Sequence, residues 1–226
     1  MNPEEVGDYA EGDILMPPHK GRNGVREESL RWPKGHIPYK INSEQRETIM
    51  KAIADYHRLT CLRFVPWSGQ TDYIVIQGKN TGCWSSVGRL GGAQEVNVQV
   101  PGCVSKKGTV IHELLHAIGF MHEQSRPERD DFIYVRYNNI KPGAESNFRK
   151  ADSRQVNDYG VPYDYNSVMH YSEYAFSKNQ QKTIETKASL VGGVKLGQRE
   201  GLSRIIFMKI ALNTSSIMHG IPSKRS

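Results

Sequence analysis

Residues 112–123 read HELLHAIGFMHE, and the spacing of their three histidines sets a geometric problem. On a helix, His112 and His116 project from one face with Cβ atoms about 6 Å apart. That separation suits two ring nitrogens each about 2.0–2.1 Å from one Zn²⁺. A helix continued to His122 would carry the third ring about 9 Å up the axis and about 120° around it. Gly119 removes the difficulty, because glycine takes the left-handed conformation that ends a helix and lets the chain turn back. HExxHxxGxxH is thus one device of helix, stop and return that gathers His112, His116 and His122 about one zinc ion per chain. Three neutral imidazoles leave a tetrahedral zinc one open position, the mark of a catalytic site, where water has its pKa lowered to about 7. Glu113 is placed to take that water's proton and pass it to a leaving amine. A bare HExxH also arises by chance in helices. Glycine and a third histidine at the required offsets make metal binding the stronger reading.

The rest of the chain allows this chemistry. Its 226 residues give one domain with a real core, or two small lobes sharing a cleft. A hydrophobic fraction of 37% and a charged fraction of 24% suit a soluble globular protein. No apolar run approaches the ~18 residues of a membrane span. The net charge is +6, but the basic residues are scattered in ones and twos without aromatic interleaving, so no nucleic-acid partner is expected. Cys61, Cys83 and Cys103 form no CxxC pair, which argues against a cysteine zinc site. Their odd number leaves at least one thiol free or intermolecular.

Residues 1–22 read as a separate unit. Glu4, Glu5, Asp8, Glu11 and Asp13 come with no base among the first thirteen residues, and Pro17-Pro18 and a basic stretch follow. Such a composition marks a flexible terminus or a removable pro-segment. GHIPYKI at 35–41 predicts a strand, with Pro38 placing it at a sheet edge. SEQRETIMKAIADYHRLT predicts a helix with Ser43 as N-cap and Ile49, Ile53 and Tyr56 on one face. DYIVIQ at 72–77 and EVNVQV at 95–100 predict strands, with GRLGGAQ a loop between them. A helix follows from Thr109 to about Gly119, with Ile111, Leu114, Leu115 and Ile118 inward. Beyond residue 123 regularity fades, apart from a short helix near 140–150. The order points to an α/β or α+β lobe followed by a looser one.

The longer run HELLHAIGFMHEQSRPERD, residues 112–130, resembles the extended zinc motif of the astacin family of metzincin endopeptidases, HExxHxxGFxHExxRxDRD. Every fixed position matches except Glu128, where the family has aspartate. YNSVMHY at 165–171 is similar to the family's methionine turn, which makes Met169 an apolar floor beneath the zinc. It also makes Tyr171 a reversible zinc ligand that swings away to stabilise the oxyanion. RWPKGHIPYKI, CLRFVPW, GCWSSVGRLGGAQEV and LGQREGLS extend the likeness over about 32–203.

The resemblance implies an α+β, two-lobed metzincin (zincin-like) catalytic domain over 23–203. Its upper lobe, about 23–121, would hold a mixed twisted sheet with helices, and its irregular lower lobe would be about 122–203. A protein or peptide substrate would pair with the sheet edge near Gly82–Val87. AEGDI at 10–14 resembles the family's pro-segment motif, with Ala10 in place of phenylalanine. Asp13 would then fill the open zinc position in a zymogen cut between Arg22 and Asn23, whose new ammonium would meet Glu123. Cys83 and Cys103 match a family disulfide, worth about 3 kcal/mol. Cys61 lacks its expected partner, because 204–226 departs from the family as an atypical tail. The implied protein is a secreted, monomeric zinc endopeptidase made as a latent zymogen, although the opening residues lack a secretory-signal pattern. The competing reading is a catalytically silent zinc-binding relative, or an unstable product of an aberrant C-terminus.

Overall fold

The computed structural model describes residues 2–16, 28–154, 156–190 and 192–219. Its larger sheet has five strands: β1 (His36–Asn42), β2 (Arg63–Pro66), β3 (Tyr73–Gln77), β4 (Cys83–Ser85) and β5 (Ala93–Val98), in the order β2-β1-β3-β5-β4. All neighbours pair in parallel except β4, which runs antiparallel to β5 and forms one edge. The sheet is therefore mixed, as expected for an α+β domain of this kind.

Two helices cover the sheet, α1 (Arg46–Leu59) and α2 (Lys107–Ala117). Ile49, Ile53 and Tyr56 of α1 are buried as their spacing predicts, against Ile111, Leu114 and Leu115 of α2. The Tyr56 hydroxyl, the one polar group of that stripe, donates to the Ile111 carbonyl at 2.7 Å. Burial without such a partner would be costly.

Three local expectations are corrected. β1 lies inside the sheet, with β2 at the edge. Pairing with β3 begins at Tyr39, one residue after Pro38, so the missing N–H falls outside that ladder. Ser43 does not cap α1: Gln45 is the N-cap, and the Ser43 hydroxyl accepts the Gln45 N–H at 3.3 Å in the preceding turn. Near 140–150 there is only a single 3₁₀ turn, Glu145–Phe148.

The half beyond α2 is mostly turns around a second apolar cluster that includes Ile133, Phe148, Tyr163, Tyr171 and Phe176. A short antiparallel pair, β6 (Ile133–Val135) and β7 (Ile184–Thr186), borders it. The expected tail at 204–226 is helical over Arg204–His219, here α3, and sends Ile206 and Ile210 into the first cluster. Cys83 and Cys103 are joined as a disulfide, and Cys61 is free and exposed, its sulfur 2.7 Å from the Thr214 hydroxyl on α3. No described helix is long and apolar enough to cross a membrane.

Candidate metal centre and active site

α2 stops where the sequence places Gly119. That residue has φ of 108°, its N–H bonds to the His116 carbonyl at 2.8 Å, and Phe120 N–H reaches back to Leu115 at 3.0 Å. This pair of bonds satisfies the last carbonyls of the helix and reverses the chain. Trp32 adds an indole N–H to the Ala117 carbonyl at 2.8 Å. The reversed chain brings His122 back to the other two rings. Ring centroids lie 4.8 Å apart for His112–His116, 4.7 Å for His116–His122 and 5.1 Å for His112–His122. All three histidines are buried.

Hydrogen bonds set their tautomers. Nδ1 of His112 donates to the Val168 carbonyl at 2.7 Å, Nδ1 of His116 to the Phe120 carbonyl at 2.8 Å, and Nδ1 of His122 to the Glu11 carboxylate at 2.8 Å. Each Nε2 therefore points inward and offers a lone pair to a cation whenever its ring is neutral. The residue they face is Asp13, whose Oδ2 lies 2.9 Å from His112 Nε2 and 3.3 Å from His122 Nε2, with Oδ1 3.6 Å from His116 Nε2.

The four donor atoms lie within 4.8 Å of one another. Four donors at about 2.0 Å from a tetrahedral ion would sit about 3.3 Å apart, so the set fits zinc. Its chemistry agrees, since lone pairs that face one another need a cation between them. Asp13 Oδ1 and His116 Nε2 are buried with no hydrogen-bond partner. The charges act on one another strongly. Burial raises the Asp13 carboxyl, but His122, His116 and His112 outweigh it and hold it well below its usual range. Burial and then the Arg199 charge push His112 down to about 3. For His122 burial is outweighed by Asp13 and Glu11, which raise it to about 10.

Glu113 sits beside this cluster, fully buried, with neither carboxylate oxygen hydrogen-bonded. Burial, then the charges of Asp13 and Glu4, push its carboxyl well above the ordinary value. Residues 165–171 also reach the centre: the Val168 carbonyl orients His112, and the Met169 carbonyl accepts the Glu123 N–H at 3.0 Å. Met169 is itself fully buried. Tyr171 packs its ring 4.9 Å from His122 and donates its hydroxyl to the Glu11 carbonyl at 2.5 Å. Glu123 is held by Lys209 Nζ at 2.5 Å, Arg126 at 2.9 Å and the Asp164 N–H at 2.9 Å.

Residues 2–16 run past the histidine cluster and on to β4. Leu15 N–H donates to the Ser85 carbonyl and Ser85 N–H to the Asp13 carbonyl, each at 2.9 Å. The segment thus occupies the β4 edge expected to receive substrate, running parallel to that strand. At its other end Glu4 pairs with the fully buried Arg199. Glu5 accepts the Ser172 N–H at 2.5 Å and hydroxyl at 2.6 Å. Glu4, Glu5, Glu11 and Arg199 were not singled out by sequence reasoning, and neither was Lys209 as the partner of Glu123. The acidic run and LGQREGLS contained four of them, but nothing local joins residues so far apart. Arg22 and Asn23 lie outside the described residues.

Comparisons with known proteins agree with this geometry. The family profile described as Astacin, a peptidase family, matches residues 24–214. Zinc metalloproteinase nas-4 of Caenorhabditis elegans is 40% identical over 220 residues, covering 91% of this chain and 68% of its own. Zinc metalloproteinase nas-13 of the same organism is 43% identical over 194 residues, covering 84% of this chain and 42% of its own. The chain therefore spans only part of either relative. Among solved structures, high choriolytic enzyme 1, a hatching enzyme zinc-protease from the medaka Oryzias latipes, superposes with a TM-score of 0.74 at 36% identity. That match covers 86% of this chain and 96% of that one. Since the profile takes in most of the sequence, and three histidines within its span converge on one point, the chain belongs to the astacin family of zinc-dependent endopeptidases.

Proposed function

We propose that the chain is a latent endopeptidase whose residues 2–16 close their own active site. The observation that carries this reading is the Asp13 carboxylate, buried among the three Nε2 atoms. His112, His116 and His122 would hold zinc, with Asp13 across the position that an active enzyme leaves open. Zinc, when bound, supplies the Lewis acidity that activates water toward a peptide carbonyl.

With the segment gone, Glu113 would lose two neighbouring negative charges and meet solvent, which favours its ionised form as general base. Tyr171, freed from the Glu11 carbonyl, would turn its hydroxyl to the reacting carbonyl oxygen. The β4 edge would take an extended protein or peptide substrate.

Residues 1–22 act as the pro-segment and 23–203 as the catalytic domain, with the cut between Arg22 and Asn23. A new ammonium approaching Glu123 would have to share that carboxylate with Lys209. The Cys83–Cys103 disulfide supports a secreted, extracellular protein. The enzyme is proposed to act as a monomer.

The test is casein hydrolysis by the uncut chain. Losing one partner of a buried charged contact costs about 2–5 kcal/mol, so Asp13→Ala should raise the uncut activity at least about 30-fold. A chelator should abolish that activity. An uncut Asp13→Ala chain as inert as the unaltered one, or an uncut unaltered chain already at full activity, would refute latency.

A further inference from the structure

The three metal-directed rings are not oriented by the same part of the chain. His112 and His116 donate from Nδ1 to carbonyls of the domain body, Val168 and Phe120. His122 donates from Nδ1 to a carboxylate, that of Glu11, which belongs to the same segment as Asp13.

Glu11 is also built into place. Its φ is 50°, in the left-handed region that a non-glycine residue adopts at a cost and keeps where its surroundings over-determine it. Its N–H donates to Asn147 Oδ1 at 3.1 Å, and its carbonyl accepts the Tyr171 hydroxyl. Gly12 follows with φ of 88° and closes the turn with its N–H on the Tyr9 carbonyl at 2.9 Å. This turn aims two carboxylates at opposite nitrogens of one imidazole: Glu11 at Nδ1 of His122 and Asp13 at its Nε2.

We propose that Glu11 is an outer-shell residue of the zinc centre in the uncut chain, acting through His122. The inference rests on the reading that the three histidines and Asp13 hold zinc. A carboxylate that accepts the far N–H of a ligating histidine fixes its tautomer and makes the metal-facing nitrogen a stronger donor. Removing such a partner commonly weakens metal affinity about 10–100-fold. The segment would therefore do two separate things: Asp13 closes the open position, and Glu11 tightens the grip of the third histidine. Trimming the segment would withdraw both carboxylates at once.

The experiment measures zinc affinity of the uncut, folded chain by competition with a fluorescent chelator. Glu11→Gln keeps an oxygen to accept the Nδ1–H but removes the charge. It should weaken zinc binding about 10–100-fold, whereas Asp8→Asn, at an exposed acid of the same segment, should not change it. In cobalt-substituted protein, Glu11→Gln should shift the visible absorption bands, which a residue that merely clasps the turn would not do. Should Glu11→Gln fold poorly, the uncut Asp13→Asn chain, which keeps Glu11 and loses only the Asp13 charge, is compared with the trimmed chain, which loses both carboxylates with the rest of the segment. The uncut Asp13→Asn chain should hold zinc the more tightly. One zinc per unaltered chain with unchanged affinity and cobalt spectrum in Glu11→Gln overturns the role of Glu11 alone. Equal affinity in the Asp13→Asn comparison does the same. An unaltered chain without a full equivalent of zinc overturns both this role and the reading beneath it.

Discussion

Glu113 holds both carboxylate oxygens in the interior without a hydrogen bond, a placement that costs free energy and that a chemical role accounts for. It does not ligate through the cluster of Asp13, His112, His116 and His122, so its loss should separate metal binding from proton transfer. In the trimmed enzyme, Glu113→Gln should lower kcat/KM by about 10²–10⁴ while zinc content stays at one per chain. Peptide hydrolysis and elemental analysis of the same sample check this, and unaltered turnover would remove Glu113 from the mechanism. At this scale much was legible. The four-residue step between His112 and His116, and the glycine before His122, follow from helix geometry that any local stretch obeys. Glu11 was not legible, since an acid in an acidic run carries no mark of the imidazole it will meet 111 residues away.

Between elements, Asp55 on α1 ties that helix to α2 through Lys107 Nζ at 2.7 Å and also meets Arg58 at 2.9 Å. Burial raises its carboxyl, but the contacts with Lys107 and Arg58 outweigh this and leave it below the ordinary value. A carboxyl lowered on folding stabilises the native state above its unfolded pKa, near 4, and the benefit is lost as pH falls through the lower folded value. Asp55→Asn should therefore be less stable than the unaltered chain at pH 7. The gap should close as pH falls below about 4, as urea unfolding at several pH values would show. A constant gap would mean that packing, not charge, ties the two helices. The pattern of α1 was readable because Ile49, Ile53 and Tyr56 repeat at helical spacing. The place of β1 was not, because Pro38 suggests an edge only where a ladder hydrogen bond is required of it, and β3 pairs just beyond.

Across the whole molecule, residues 2–16 touch both apolar halves. They pair with β4 of the first and bond to Tyr171 and Ser172 beside the second. The Cys83–Cys103 link secures the β4 edge along which they lie. Closing a loop of this length contributes about 3 kcal/mol on the chain-entropy estimate. Labelling the denatured, unreduced protein should modify one thiol, Cys61, and reduction should expose two more. Three reactive thiols before reduction would refute the pairing. Reduction should also lower the unfolding temperature by several degrees or more.

The sequence by itself determined the metal chemistry, the end of α2 and the broad two-part architecture. These rest on short-range spacing, on a motif contained within residues 112–130, and on the order of elements along the chain. Only the tertiary structure decided that Arg199 meets Glu4 across 195 residues, that Lys209 meets Glu123, and that the amino-terminal segment supplies two carboxylates to one histidine. Contacts between distant charged groups have no periodicity to reveal them. They exist because the folded chain excludes water from those places, and each buried charge must then find its partner wherever the fold brings one.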